Sequence, residues 1–118
     1  FRQTKIRQHY IKEGQAVCRY QKKVIEKVVS TAERVIFVRN KAYAANTQTL
    51  TSQIGNALLK KYPLAIIWSR KNGKIVASLR SRGKLDASKL ASRYGGGGHR
   101  HAAGFSFTAS RSFPWKTI

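Results

Sequence analysis

Acidic residues are nearly missing from this chain: Asp and Glu together number 4, against 24 Lys and Arg. That scarcity excludes most hydrolytic chemistry, which draws on paired carboxylates, a metal cluster or a nucleophile oriented by an acid. Glu13, Glu26 and Glu33 fall on or at the end of one N-terminal helical stretch and Asp86 stands before another, so they do not converge on one ion. Cysteine occurs once, at Cys18, which rules out an internal disulfide and points to a reducing compartment, the cytoplasm or the mitochondrial matrix. There is no run of 18 apolar residues and no lipidation signal at either end, so no membrane partner is expected. Methionine is absent and the sequence starts at Phe1, the pattern expected of a fragment or a processed product whose targeting peptide has been removed.

Positive charge is what the chain has in excess. The formal net charge is +20, and self-repulsion on that scale destabilises a compact fold unless an anion answers it. Lys and Arg are spread from residue 2 to residue 116 among segments that read as ordered, which favours nucleic acid over an anionic membrane surface as the partner. With 118 residues and 42% apolar content the chain is long enough for one domain around one core, without a metal or disulfide staple.

In residues 5–32 the apolar positions Ile6, Tyr10, Val17, Tyr20, Val24 and Val28 recur mostly at steps of three and four, with Lys and Arg between them, as in a long amphipathic helix. Gly14 is its weak point, where the helix is expected to bend or to begin. Residues 34–47 change to a period of two with β-branched content and read as strand, either a hairpin turning near Asn40 or one bent strand. A short helix follows, with Thr51 or Ser52 as N-cap and Ile54, Leu58 and Leu59 buried. The segment "PLAIIWSRKNGKIVASLRS" carries the preferred type I′ dipeptide Asn72-Gly73 between two strands. Because positions 64–68 are apolar throughout, the first of them is expected to be central and covered on both faces. Residues 86–94 suggest a short helix capped by Asp86 with Leu90 inward, and "HAAGFSF" a last strand. The expected fold is α+β: a single domain with a mixed, mostly antiparallel sheet of about five strands flanked by helices, after a long N-terminal helix. Its divisions are a connector helix at 1–32, a sheet domain at 33–108 and a tail at 109–118, in which Phe113 and Trp115 either pack back or enter a partner.

Between the last helix and the last strand stands "GGGGHRHAAGF", residues 95–105. Four glycines in isolation suit a flexible linker. They suit equally a turn whose backbone N–H groups converge on an oxyanion, with His99 donating from its imidazole and Arg100 adding charge. His99 and His101 do not make a zinc site, since only His9 and Cys18 remain as further ligands. No nucleophile motif or spare acid accompanies them, so no catalytic residue and no metal ligand is expected in this chain.

The same stretch resembles the Gly-Gly-Gly-His-x-x-Ala-Ala-Gly-Phe signature of the DHH-associated domain, the C-terminal half of the Asp-His-His phosphoesterases, which include oligoribonucleases and single-strand exonucleases. The resemblance extends upstream to "SQIGNAL", similar to a Ser-Glu-Leu-Gly helix start with Gln53 in place of the acid, and to the hairpin ending in Ser78, Arg80 and Ser81. It implies that this domain folds over a catalytic half and holds the substrate, with Gly96, Gly97, Gly98 and His99 on the phosphate and Ser78, Arg80 and Ser81 facing the substrate. A divalent metal such as manganese would belong to that catalytic half, which this chain does not contain; no cofactor is expected within the chain itself.

Two functions follow as expectations. One is a non-catalytic RNA-binding component of a large ribonucleoprotein such as a mitochondrial ribosome, its basic surface including Lys60, Lys61, Arg82, Lys84, Arg93 and Arg100. The other is the substrate-binding half of a phosphoesterase acting on short oligoribonucleotides or nucleotide phosphates, its catalytic half missing from this chain. Trp68 fits core packing or base stacking.

Overall fold

The computed structural model describes residues 2–118, with side chains from Thr4 onward; Phe1 lies outside the described residues. The element order is α1 (Arg2–Thr31), β1 (Glu33–Phe37), β2 (Asn40–Asn46), α2 (Thr51–Leu58), β3 (Leu64–Lys71), β4 (Lys74–Ser81), α3 (Ala87–Ser92), β5 (Gly97–His99), β6 (Ala102–Thr108) and β7 (Trp115–Thr117). All strands join one sheet in the order β5-β6-β4-β3-β2-β1-β7. Every pairing is antiparallel except β2 with β3, whose parallel register is connected through α2. This is the expected α+β class.

Seven strands stand where about five were expected. The two extra ones, β5 and β7, have three residues each and sit at opposite edges. Neither is long enough to show a period of two, and β5 is mostly glycine, so pairing with a neighbour defines them. The 34–47 segment resolves as a hairpin, with Val38 and Arg39 at positive φ in its turn. Asn72 and Gly73 both take positive φ, as a type I′ turn requires.

β3 is central and its residues alternate between two cores. On one side Leu64 and Ile66 join Val35, Phe37, Ile75, Leu79, Phe105 and the inner face of α3. On the other side Ala65 and Ile67 meet Ala45 of β2 and Ile54 and Leu58 of α2, with Ile25, Val28 and Val29 of α1 over them. Leu59, expected in the buried stripe, is only partly buried at the helix end. Trp68 belongs to the α3-side core, edge-on to Phe113 at 5.0 Å, and Trp115 beside them is buried. The C-terminal segment therefore packs back on the sheet.

α1 is continuous through Gly14. Only its C-terminal end is covered: Val24 and Val28 are half-buried, whereas Ile6, Tyr10, Val17 and Tyr20 of the same stripe are exposed. No helix among the described residues is long and apolar enough to cross a membrane.

The N-cap of α2 departs from expectation. Leu50 holds that position at φ 54 with no side-chain cap, and Thr51 and Ser52 lie in the first turn. Ser52 is engaged elsewhere, as described below. Asp86 caps α3 as expected, its carboxylate accepting from the backbone N–H groups of Ser88 at 2.9 Å and Lys89 at 3.3 Å and from the Ser88 hydroxyl.

The turn between β5 and β6 is fastened from beneath. Ser81 is 4% exposed, and its hydroxyl lies 2.8 Å from the Leu85 carbonyl and 3.0 Å from the Arg100 carbonyl, donating its one proton between them. The Ser81 N–H donates to His101 O at 3.1 Å, and the Ala87 N–H donates to Arg100 O. Replacing Ser81 with Ala removes the donor shared by the Leu85 and Arg100 carbonyls in a part-buried site, so unfolding in urea should show a loss of about 1–3 kcal/mol. A stability within about 0.5 kcal/mol of the parent would show that the fastening is dispensable. Asp86 gives a second expectation. Its hydrogen bond from the Ser88 side chain, followed by the backbone bonds, holds its carboxyl below the ordinary aspartate range. A depressed folded-state pKa contributes stability that is present above the unfolded value and lost as pH falls through the folded one. Asp86→Asn keeps an acceptor that does not titrate, so the excess thermal stability of the parent over this variant should shrink on acidification through that window and be constant near neutrality.

Candidate functional site

Partners across an antiparallel pair project to the same side of the sheet, so the register defines two rows on the side of α2. One runs Ile67, Ser78, Gly104, Gly97; the other runs Ala65, Arg80, Ala102, His99. At the β5 edge both rows leave the cover of α2. There the floor is Gly97, Ala102 and Gly104, and in the second row Arg80 and His99 flank Ala102 on its two sides.

Arg80 is placed by α2. Its Nη2 donates to Ser52 Oγ at 3.0 Å, and its aliphatic stem crosses Gly55 so closely that a Cβ there would come within 2.7 Å of Arg80 Cγ. The "SQIGNAL" stretch thus acquires a physical reading: Ser52 aims the guanidinium and Gly55 lets it pass. Gln53, which stands where the resembled motif has an acid, is exposed.

The glycine run divides its labour. Gly95 and Gly96 donate their N–H groups to Ser92 O and Ala91 O, closing α3. Gly96 is pressed against β6, where a Cβ would meet Gly104 O and fall 2.6 Å from the Phe105 Cβ, and Gly98, at φ 147, would place one 2.6 Å from the Ala103 Cα. A Cβ on Gly97 would meet nothing within 4 Å, because Gly97 faces the open side. A cradle of successive glycine N–H groups is therefore not what forms. Two of the amides are spent on the helix end, and close packing demands glycine at 96 and 98.

His99 is exposed on that open side, and among the described residues nothing hydrogen-bonds its imidazole. His101 points elsewhere, with Nε2 3.1 Å from the Gly83 carbonyl, to which it donates. Ser78 shares the open side and borders a cleft of about 450 Å³ with Thr47, Gln48, Thr51, Ser69 and Lys71. None of these five was expected on sequence as a site residue, Thr51 being read only as a helix cap. They meet only because the parallel β2–β3 pairing carries Thr47 onto Trp68 O at 3.0 Å. Ser81, expected to face the substrate, lies on the opposite side of β4 and is buried, since strand residues three apart point to opposite faces.

Of the basic residues, Lys60, Lys61, Arg82, Lys84, Arg93 and Arg100 are all exposed. Arg82 is also tied down, its Nε donating to Leu59 O at 2.6 Å. Among the described residues the ion pair present is His9 with Glu13 on α1, and α2, β3, β4, β5 and β6 contain no carboxylate. No three His, Cys, Asp or Glu side chains gather as metal ligands among the described residues.

The curated protein R106 of Acanthamoeba polyphaga mimivirus, uncharacterized, is 34% identical over 99 residues, covering 75% of this chain and 24% of that protein. An uncharacterized protein from Helicobacter pylori G27 shares the fold at TM-score 0.53 and 27% identity, over 63% of this chain and 22% of that one. The pGpG-specific phosphodiesterase PggH from Vibrio cholerae superposes at TM-score 0.63 and 19% identity, over 84% of this chain and 37% of that one, a likeness of fold. The chain thus spans about a quarter of the curated relative it matches. The DHHA1 domain model matches residues 35–114, from β1 to the residue before β7 and more than half of the sequence, and on that match the chain belongs to the DHHA1 domain family.

Proposed function

We propose that this chain is a non-catalytic nucleic-acid-binding module that holds a phosphate of an RNA or short oligoribonucleotide over the Gly97, Ala102 and Gly104 floor. The observation that carries the reading is the second cross-strand row, which brings Arg80 and His99 to one side of a floor without side-chain bulk. A guanidinium already aimed by Ser52 supplies charge-assisted donors, and the imidazole supplies one more. Ser78 extends the row of polar groups toward the cleft at Thr47 and Thr51, where a sugar or base edge finds hydroxyl and amide partners. The surrounding elements carry no carboxylate to repel a phosphate.

The module binds and orients; hydrolysis requires groups from outside it. In this reading the chain is the substrate-holding half of a phosphoesterase of the kind its fold relatives include, among them a phosphodiesterase named for the dinucleotide pGpG. A second reading is favoured by the net charge of +20, which exceeds what one phosphate pocket uses. There the domain is a structural RNA-binding component of a ribonucleoprotein, in the mitochondrial matrix or the cytoplasm.

Two measurements test these readings. Titration of a 5′-phosphorylated dinucleotide should show Arg80→Ala and His99→Ala each weakening binding by roughly tenfold or more, the scale of a lost bond to a charged group. Gly55→Ala should mimic Arg80→Ala by displacing the arginine stem, while its thermal stability changes by no more than about 1 kcal/mol, since alanine favours the helix. Unchanged affinity in all three variants would remove the groove from the reading. The salt dependence of binding to long RNA separates the two functions. Neutralisation of about 6–10 phosphates lowers affinity by roughly 10³–10⁵ between 50 and 200 mM salt, as a ribonucleoprotein component requires. A shallow slope, with affinity that does not grow beyond a few nucleotides, leaves the oligonucleotide-holding half.

A further inference from the structure

The sheet carries a second concentration of cations and rings far from the glycine groove. Register places Arg34 beside Tyr43 and Ile36 beside both Lys41 and Lys116, so these side chains share one side of β2, β1 and β7. Tyr43 also pairs with Ala65, which lies on the α2 side, so the patch and the groove occupy the same side of the sheet. They stand at its two ends: in the strand order, β5 and β1 are five strand spacings apart, or roughly 24 Å at the usual separation. Tyr43 stacks on Tyr62 with centroids 4.9 Å apart at 25°, and the Lys61 ammonium sits 5.6 Å from the Tyr43 ring centre.

Arg34, Lys41, Lys61 and Lys116 are all exposed, and among the described residues none of them pairs with a carboxylate. Glu33, the nearest acid in sequence, points to the other side of β1, where it accepts from the Thr117 hydroxyl. A lysine on an edge strand such as β7 has an ordinary use in deterring strand addition. That use explains Lys116 alone. It accounts neither for Arg34 and Lys41 on inner strands nor for a stacked tyrosine pair left half-exposed beside them. Cations over a ring-bearing sheet surface with no acid match a phosphate chain whose bases have π-faces to stack.

We infer that the β2-β1-β7 surface is a second contact for single-stranded RNA, reached by strands too long to be held by the groove alone. The inference rests on the nucleic-acid reading above and adds a site at the opposite end of the same side of the sheet. Lys41, Lys116 and Arg34 contact phosphates, and the Tyr43–Tyr62 stack, with Lys61 over it, receives a base.

The test uses the full chain with two RNA lengths, a dinucleotide and a 15-mer, and compares the parent with Lys41→Glu/Lys116→Glu and with Tyr62→Ala and Tyr62→Phe. The double variant should weaken the 15-mer at least tenfold and lower its salt slope by about 1.4, at roughly 0.7 per phosphate contact for single strands. It should leave the dinucleotide unchanged, which also reports that the fold is intact. Tyr62→Ala should weaken the 15-mer by between about 5- and 150-fold, the range for a lost base stack, and Tyr62→Phe should restore it. If the 15-mer is lost on Arg80→Ala yet is indifferent to the patch variants, the second contact is overturned and the groove stands. If the parent binds neither RNA, both readings fall. If the patch variants lose binding to phosphatidylserine vesicles while keeping the 15-mer, the surface serves a membrane and the inference is overturned.

Discussion

The register of β4 is the constraint on which the rest of the structure depends. Its odd-numbered residues Ile75, Ala77, Leu79 and Ser81 are all buried, and its even-numbered residues Val76, Ser78 and Arg80 point to the side of α2. A slip of one residue would drive Arg80 into the α3-side core and turn Leu79 toward the groove, because side chains alternate strictly along a strand. The slip is opposed from both neighbours: β3 fixes β4 through the tight Asn72-Gly73 turn, and β6 fixes it through seven paired positions. Burial of the odd-numbered residues and placement of Arg80 on the α2 side are thus one structural decision. Ser81 shows how closely the two are joined. It is the polar residue of the buried row, and its hydroxyl holds the Arg100 carbonyl in the turn that carries His99. Core and site meet at that bond.

How much of this was legible in the sequence follows from the range of each interaction. The alternation around Asn72-Gly73, the helical spacing at 51–58 and the Asp86 cap are local, and they could be read because each is decided within a few residues of chain. The N-cap of α2 was misread because a tertiary contact won: Ser52 gives its hydroxyl to Arg80, 28 residues away, and Leu50 takes a left-handed conformation instead. β7 was invisible as a strand because its partner, β1, lies some 80 residues earlier. Gly96 and Gly98 illustrate a finer failure. Glycine there reads as permission for a ligand to approach, yet the close approach is that of the protein's own β6. Only the structure separates a glycine kept bare for packing from one, Gly97, that faces open space.

Charge works against the fold as much as for the site. A domain at +20 with one ion pair among its described residues obtains little internal neutralisation, so its cations repel one another wherever screening is weak. Burial on both sides of the sheet carries that load. The two cores, one under α3 and one under α2, are apolar apart from Ser81, and no buried side-chain polar atom lacks a partner among the described residues. Polar and charged groups are confined to the rims. Tightly satisfied cores with unsatisfied cations at the surface describe a protein whose electrostatic free energy falls when a polyanion arrives, and whose fold does not wait for it.

In the proposed reading, the shape of the groove limits what kind of recognition it can perform. Its floor at Gly97, Ala102 and Gly104 has almost no side chain with which to discriminate one base from another. In the proposed reading Arg80 and His99 would respond to charge and hydrogen-bond acceptors, which every phosphate offers alike. Side chains that distinguish bases must therefore come from the Thr47, Gln48 and Thr51 rim or from a surface facing the floor. The space above Gly97 is empty, so a ligand lying there is covered on one side and open on the other. In the proposed reading, an open floor that held a phosphate and left the remaining face of the ligand bare would be half of an enclosure, and whatever acted on that ligand would approach from the uncovered side.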